Sequence, residues 1–248
     1  MNKEELKKTF KEYVEKYDLN DKMIELKLTH SYRVMNLANA IAQHENLSEN
    51  DIEISNIVGL LHDYARFPQW TKYHTYSDLK SIDHANLAVE ILFDDEIKKY
   101  TTKKEDYDEI YDAIKYHNKL SIPNNLSQHN KLLTKVIRDA DKLDIFYLYS
   151  IDKELIEEDE GVISTNVEED FMSRKQIDRR DVNNKMDNII LNLSMVYDLN
   201  FDYSFRYLKD NKLIDKIFDN MENKKMLKKY FDIINEYIDD RLNKKGND

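Results

Sequence analysis

The chain has 248 residues, a formal charge of −11 at pH 7, seven His and no Cys. Its three Gly and two Pro make up about 2% of the residues where average usage is about 12%, too few turn residues for an all-β or doubly wound fold, so the expected class is all-α. The lack of Cys excludes disulfides, thiolate zinc sites, iron–sulfur clusters and thiol nucleophiles, and leaves any metal to His, carboxylate or water.

The N-terminal MNKEELKKTF lacks the apolar core of a signal peptide. The most apolar later run, Ile57 to Leu61, is stopped by His62 and Asp63. The expected setting is cytoplasmic, with no membrane partner. The acidic balance disfavours a stable nucleic-acid partner, yet a small local pocket can still take a small phosphorylated substrate. Nothing in the sequence sets an oligomeric state.

Apolar residues three and four apart predict helices at about 21–45, 51–65, 83–93, 106–118 and 129–152. Segment 66–82, with Pro68 and the single Trp70, reads as a loop, and Pro123, Asn124 and Asn125 mark a second at 119–128. The acidic stretch 153–163, containing Gly161, sets a soft boundary between a core at 1–152 and a helical extension at 153–248, the two expected to pack as one structural domain. Further helices are expected near 166–176, 181–198, 203–220 and 222–244. Thr165 and Glu168 stand in capping-box spacing before the first of these.

Each of the first five helices carries a residue its apolar stripe should exclude. His30 shares a face with Val34, Leu37, Ala38 and Ile41; His62 continues the face of Ile54, Val58 and Leu61, with Asp63 following. His84 aligns with Ala88 and Ile91, His117 with Ile110, Ala113 and Ile114, and Asp141 with Leu133, Val136, Ile137 and Ala140. A buried carboxylate costs several kcal/mol unless it is paired or bound to metal, so convergence of the six on cations explains the pattern most economically. Four imidazoles and two carboxylates suit divalent Mn, Fe, Co, Ni or Zn. Six ligands exceed what one catalytic ion takes while keeping an open position, which points to two ions bridged by a carboxylate.

His30, the pair His62-Asp63 and Asp141, within LLHDYARF and RDADKLD, resemble the H…HD…D signature of the HD-domain superfamily of metal-dependent phosphohydrolases; His84 in SIDHANLA and His117 in YHN resemble its six-ligand, dinuclear branch. The resemblance covers about residues 25–150. It implies a helical bundle in which His30, His62, Asp63 and Asp141 hold one ion and His84 and His117 a second, with Asp63 bridging. Asp139 lies two residues from Asp141 and about 200° round the helix from it, and the apolar stripe selects Asp141. Asp144, one turn further on, is a candidate to orient a ligand or a water. Arg66 is a candidate to meet a phosphate beside the metals, with a structural salt bridge as the alternative. His74, Lys119 and Lys142 are further candidate substrate contacts. The expected activity is hydrolysis of a phosphate ester of a small molecule, a nucleotide first, with Asp63, Arg66 and Asp144 in the catalytic set. The alternatives are a mixed-valent di-iron oxygenase, which uses a six-ligand site of the same kind, and a non-catalytic regulatory module.

Overall fold

Asn2 opens the chain's first helix with a reciprocal cap, its side chain accepting from the Glu5 N–H while the Glu5 carboxylate accepts from the Asn2 N–H. That helix, α1 (Lys3–Val14), buries Leu6, Phe10, Tyr13 and Val14. The helices expected from the sequence omit it, because Lys and Glu outnumber the apolar residues and dilute the stripe. The computed structural model describes residues 1–243 and is all-α, with no β-strand among those residues. They divide into two compact units, the first Met1–Asp141 and the second beginning at Lys142.

In the first unit, Asp21 caps α2 (Lys22–His44) and Ser48 caps α3 (Glu49–Leu61). The two pack so closely that a Cβ on Gly59 would lie 2.7 Å from the Met35 Cα; only glycine fits there. Segment 66–82, expected as a loop, holds a further helix, α4 (Arg66–Tyr73). Pro68 falls in its first turn, where N–H groups have no partner inside the helix, so the proline that signalled a loop is compatible with a helix start. Phe67 and Gln69 of α4 are buried, and α4 packs on α2. A short 3-10 turn at Asp78–Lys80 leads to α5 (His84–Asp94), capped by Asp83; α6 (Tyr107–Tyr116) packs on α5 and α3. The long α7 (Gln128–Ile151) follows, and the division between the units falls inside it, after Asp141, whereas the soft boundary read from composition lies at its end.

The second unit continues through α8 (Thr165–Met172), α9 (Lys185–Ser194), α10 (Asp202–Asp210), α11 (Leu213–Asn220) and α12 (Lys224–Asn243). The expected Thr165/Glu168 capping box does not form. Ser164 is the N-cap residue, its hydroxyl donates to the Asp187 carboxylate at 2.7 Å, and Glu168 instead accepts from Lys229 and Tyr230. The single helix expected at 203–220 is two, broken where Lys212 takes a left-handed backbone at φ 52. Within this unit α12 packs against α9, α10 and α11.

Candidate metal centre

The first unit brings all six sequence-selected residues to one place: His30 from α2, His62 and Asp63 from the end of α3, His84 from the start of α5, His117 from the end of α6 and Asp141 from α7. Neighbours on a continuing helix would point about 100° apart. Here α3 ends at Leu61 with His62 as its C-cap, and the chain turns before α4, so His62 and Asp63 face the same centre. His30 Nε2 lies 3.2 Å from His62 Nε2 and 3.2 Å from Asp141 Oδ1. His84 Nε2 lies 3.0 Å from His117 Nε2. Asp63 divides its oxygens: Oδ2 is 3.5 Å from His30 Nε2 and 3.6 Å from His62 Nε2, while Oδ1 is 3.3 Å from His84 Nε2.

Among the described residues three overlapping sets could hold a metal ion, His30/His62/Asp63, His62/His117/Asp141 and Asp63/His84/His117, with the ligand atoms of each within 4.8 Å of one another. Proton placement on the rings tests the fit. His62 Nδ1 is 2.9 Å from the Gly59 carbonyl, His117 Nδ1 2.6 Å from the Ile114 carbonyl and His84 Nδ1 2.7 Å from Asp78 Oδ2. An oxygen acceptor fixes the proton on Nδ1, so the Nε2 of each neutral ring carries a bare lone pair. With both rings neutral, the Nε2 pair of His84 and His117 sets two lone pairs against each other. Burial, then the neighbouring His84 and His62, hold His117 well below the ordinary imidazole range, so His117 brings no proton to that contact. A cation resolves the repulsion. Two ligands each about 2.1 Å from one ion sit roughly 3.0 Å apart at a right angle and roughly 3.4 Å apart at a tetrahedral one, a range in which these nitrogens at 3.0 Å lie at the octahedral end.

Charge around the carboxylates points the same way. Burial pushes the Asp63 carboxyl up, but the Lys27 ammonium first and the Arg66 guanidinium beside it hold Asp63 well below the usual carboxylate range. Asp141 is likewise held below that range against its burial, with His30 Nε2 3.2 Å and His62 Nε2 3.7 Å from its Oδ1. Lys27 Nζ is 2.7 Å from Asp63 Oδ2 and stands over the Tyr76 ring at 5.3 Å; Arg66 Nε is 3.3 Å from Asp63 Oδ1.

His117 gives a pH dependence. Its folded value lies below the 6.5 of the free side chain, so its contribution to stability is complete above that pH and is lost as pH falls through 6.5, where only the unfolded chain takes up the proton. In chelator-treated protein the difference in unfolding free energy between parent and His117→Gln should narrow below pH 6.5, by at most about 1.4 kcal/mol per pH unit. Denaturant melts at pH 8, 6 and 5 check this; a difference that stays constant would contradict it.

The other expected contacts are placed differently. Arg66 shares the two N–H groups of Nη1 among Gln69 Oε1 at 2.7 Å, the Tyr76 carbonyl at 2.7 Å and Asp78 Oδ1 at 2.9 Å; its Nη2 makes no hydrogen bond among the described residues. His74 is exposed and is the C-cap of α4 in a left-handed conformation. The Lys119 ammonium is on Asp83. Lys142 and Asp144 belong to the second unit; Lys142 Nζ pairs with Asp198 Oδ2 at 2.8 Å, and Asp144 is buried. Asp139, although fully buried, joins none of the three sets, and distance favours the partly exposed Asp141.

Lys27, Gln69, Asp78 and Asn118 were not singled out from the sequence as site residues. Lys27 stands one turn before His30, and that spacing was the available signal; inside a charged helix it reads as a solvated lysine. Asp78 is a loop residue whose partners are six to forty positions away.

Among known families, the model of the HD domain matches residues 28–145, a span that takes in all six residues. Comparison with curated proteins and with solved structures gave no match. No helix among the described residues is long and apolar enough to cross a membrane.

Proposed function

We propose, from the premise that residues 28–145 are an HD domain, that the protein is a metal-dependent phosphohydrolase cleaving a phosphate ester of a small molecule, a nucleotide first, with two divalent transition-metal ions. The observation that carries this reading is the division of Asp63: one oxygen faces His30 and His62, the other faces His84. His30, His62, Asp63 and Asp141 would hold one ion, and His84 and His117 the other, with Asp63 between them. Once bound, such ions supply Lewis acidity toward a phosphoryl oxygen and acidify a water. The chain adds positive charge at the same place. Lys27 Nζ and Arg66 Nε stand beside Asp63, where the two cations would offset charge building on phosphoryl oxygens. No serine or cysteine nucleophile is required.

Protein loaded with Mn2+ or Co2+ should release phosphate from, or cleave a diester in, a panel of nucleotides and phosphate esters under strict exclusion of oxygen, and His62→Ala should abolish the activity. A blank panel under every metal, with oxygen uptake by the iron form on addition of a polyol or phosphonate, would replace this reading with an oxygenase. A blank panel without oxygen uptake would favour a binding module.

Arg66→Ala has two expected effects. Four internal acceptors, on Asp63, Gln69, Tyr76 and Asp78, lose this donor, so stability should fall by about 1–3 kcal/mol. Turnover, assayed well below the melting temperature, should fall further than the folded fraction does. Activity that simply tracks the folded fraction would confine Arg66 to holding the 66–82 segment.

A further inference from the structure

Asp78 lies between α4 and α5, and both of its carboxylate oxygens are fully used. Oδ1 accepts from Arg66 Nη1 at 2.9 Å and from Gln69 Nε2 at 3.0 Å; Oδ2 accepts from His84 Nδ1 at 2.7 Å and from Asn118 Nδ2 at 3.1 Å. The two sides differ in kind. Arg66 can only donate, and Gln69 is fixed as a donor because its Oε1 takes the Arg66 guanidinium while its Nε2 also faces Ser81 Oγ at 2.9 Å and the Ile82 carbonyl at 3.0 Å. On the other side, His84 can exchange tautomer and the Asn118 amide can rotate. Asn118 Oδ1 is buried without a hydrogen-bond partner.

His84 also differs from the other two rings of the centre whose Nδ1 partner is an oxygen. His62 and His117 donate to backbone carbonyls, which no side-chain substitution removes, whereas His84 donates to a carboxylate twelve residues from Arg66. A negative acceptor makes the opposite ring nitrogen a stronger donor and fixes which nitrogen is bare.

We infer that Asp78 is a positioning residue that keeps the His84 proton on Nδ1 and so makes the second metal position, that of His84 and His117, depend on the 66–82 segment. The inference rests on the two-ion reading above. It has an unusual consequence for substitution. In Asp78→Asn the side-chain oxygen must stay on the Arg66 and Gln69 side, where both neighbours are obligate donors. The new amide NH2 then faces His84 Nδ1, which must become an acceptor, and the proton moves to Nε2, the atom aimed at His117. A protonated Nε2 cannot ligate. In Asp78→Ala, water can accept from Nδ1 and either tautomer is open. The near-isosteric Asn should therefore harm the second position more than the truncation to Ala; a residue with only a structural role would show the reverse order.

Nitrogen-15 NMR of histidine-labelled, chelator-treated protein reads the tautomer directly, and calorimetry with Zn2+ reads each binding step. The expected result is an Nδ1-protonated His84 in the parent and an Nε2-protonated one in Asp78→Asn. The second Zn2+ should be weakened by about 10–100-fold in the Asn variant, and by less in the Ala variant, with the first step little changed. Three results would overturn the inference: an Nε2-protonated His84 in the parent, an unchanged tautomer in Asp78→Asn, or a second Zn2+ bound more weakly by Ala than by Asn. A parent that binds no Zn2+ would sink the two-ion reading instead, and the tautomer measurement would still decide the role of Asp78.

Discussion

Asp63→Asn is expected to take bound metal from close to two ions per chain to below one and to remove turnover with it. Its carboxylate is the group that faces both halves of the centre, with Oδ2 3.5 Å from His30 Nε2 and Oδ1 3.3 Å from His84 Nε2. A neutral amide offers one weak oxygen ligand and, on the other side, a donor where a lone pair is needed. The same substitution strips Lys27 and Arg66 of their shared anion. Breaking a buried ion pair from one side costs about 3–5 kcal/mol, and less here because the Lys27 side chain is 18% exposed. His84→Ala or His117→Ala should instead empty mainly one position and leave Lys27 and Arg66 paired. Elemental analysis of the variants separates the cases. Equal loss of metal from Asp63→Asn and His84→Ala would remove the bridge from the reading, and a metal-free parent would remove the ions altogether.

Chelation should lower the melting temperature by on the order of 10 °C. An ion present at 1,000 times its dissociation constant stabilises the native state by about 4 kcal/mol, and 1 kcal/mol moves the midpoint by about 2–4 °C in a chain of this size. The source of the effect is local. His84 Nε2 and His117 Nε2 face each other at 3.0 Å, and a bound cation would take up the lone pairs of both. Asp141→Ala should show a much smaller drop on chelation, because its Oδ1, 3.2 Å from His30 Nε2, closes the centre on the α7 side. The readout is the difference between melts with and without chelator in parent and variant. A variant that loses as much as the parent would show that Asp141 holds no ion, and Asp139 would take its place as the candidate.

The helical class and five residues of the centre were legible in the sequence from the stripe of a single helix, while Asp63 entered through its place beside His62 and faces the centre because α3 ends at Leu61. A polar residue among apolar ones at three- and four-residue spacing must point inward once the helix forms, whatever it then meets; this holds for His30 beside Val34 and Ala38 and for Asp141 beside Ile137 and Ala140. Scarcity of Gly and Pro excluded the other fold classes for an equally local reason. Local signals misled where the partner lay elsewhere. Pro68 looked like a break but falls in the first turn of α4, and Thr165 and Glu168 had the spacing of a cap although Asp187 and Lys229 had already engaged their neighbourhood. The split at Lys212 depends on a single left-handed residue that composition does not announce.

Tertiary structure alone decided how the centre is held. Lys27 reaches Asp63 across 36 positions, Asn118 reaches Asp78 across 40, and His84 meets His117 across 33. Each is a side-chain contact between separate elements, set by how α2, α5 and α6 pack rather than by any helical period. The sequence determined which residues would be turned inward, since burial of an apolar stripe carries every side chain on that face with it. It could not determine which nitrogen of His84 would be bare or what Arg66 would grip, because those follow from hydrogen-bond partners that only the folded chain brings within reach.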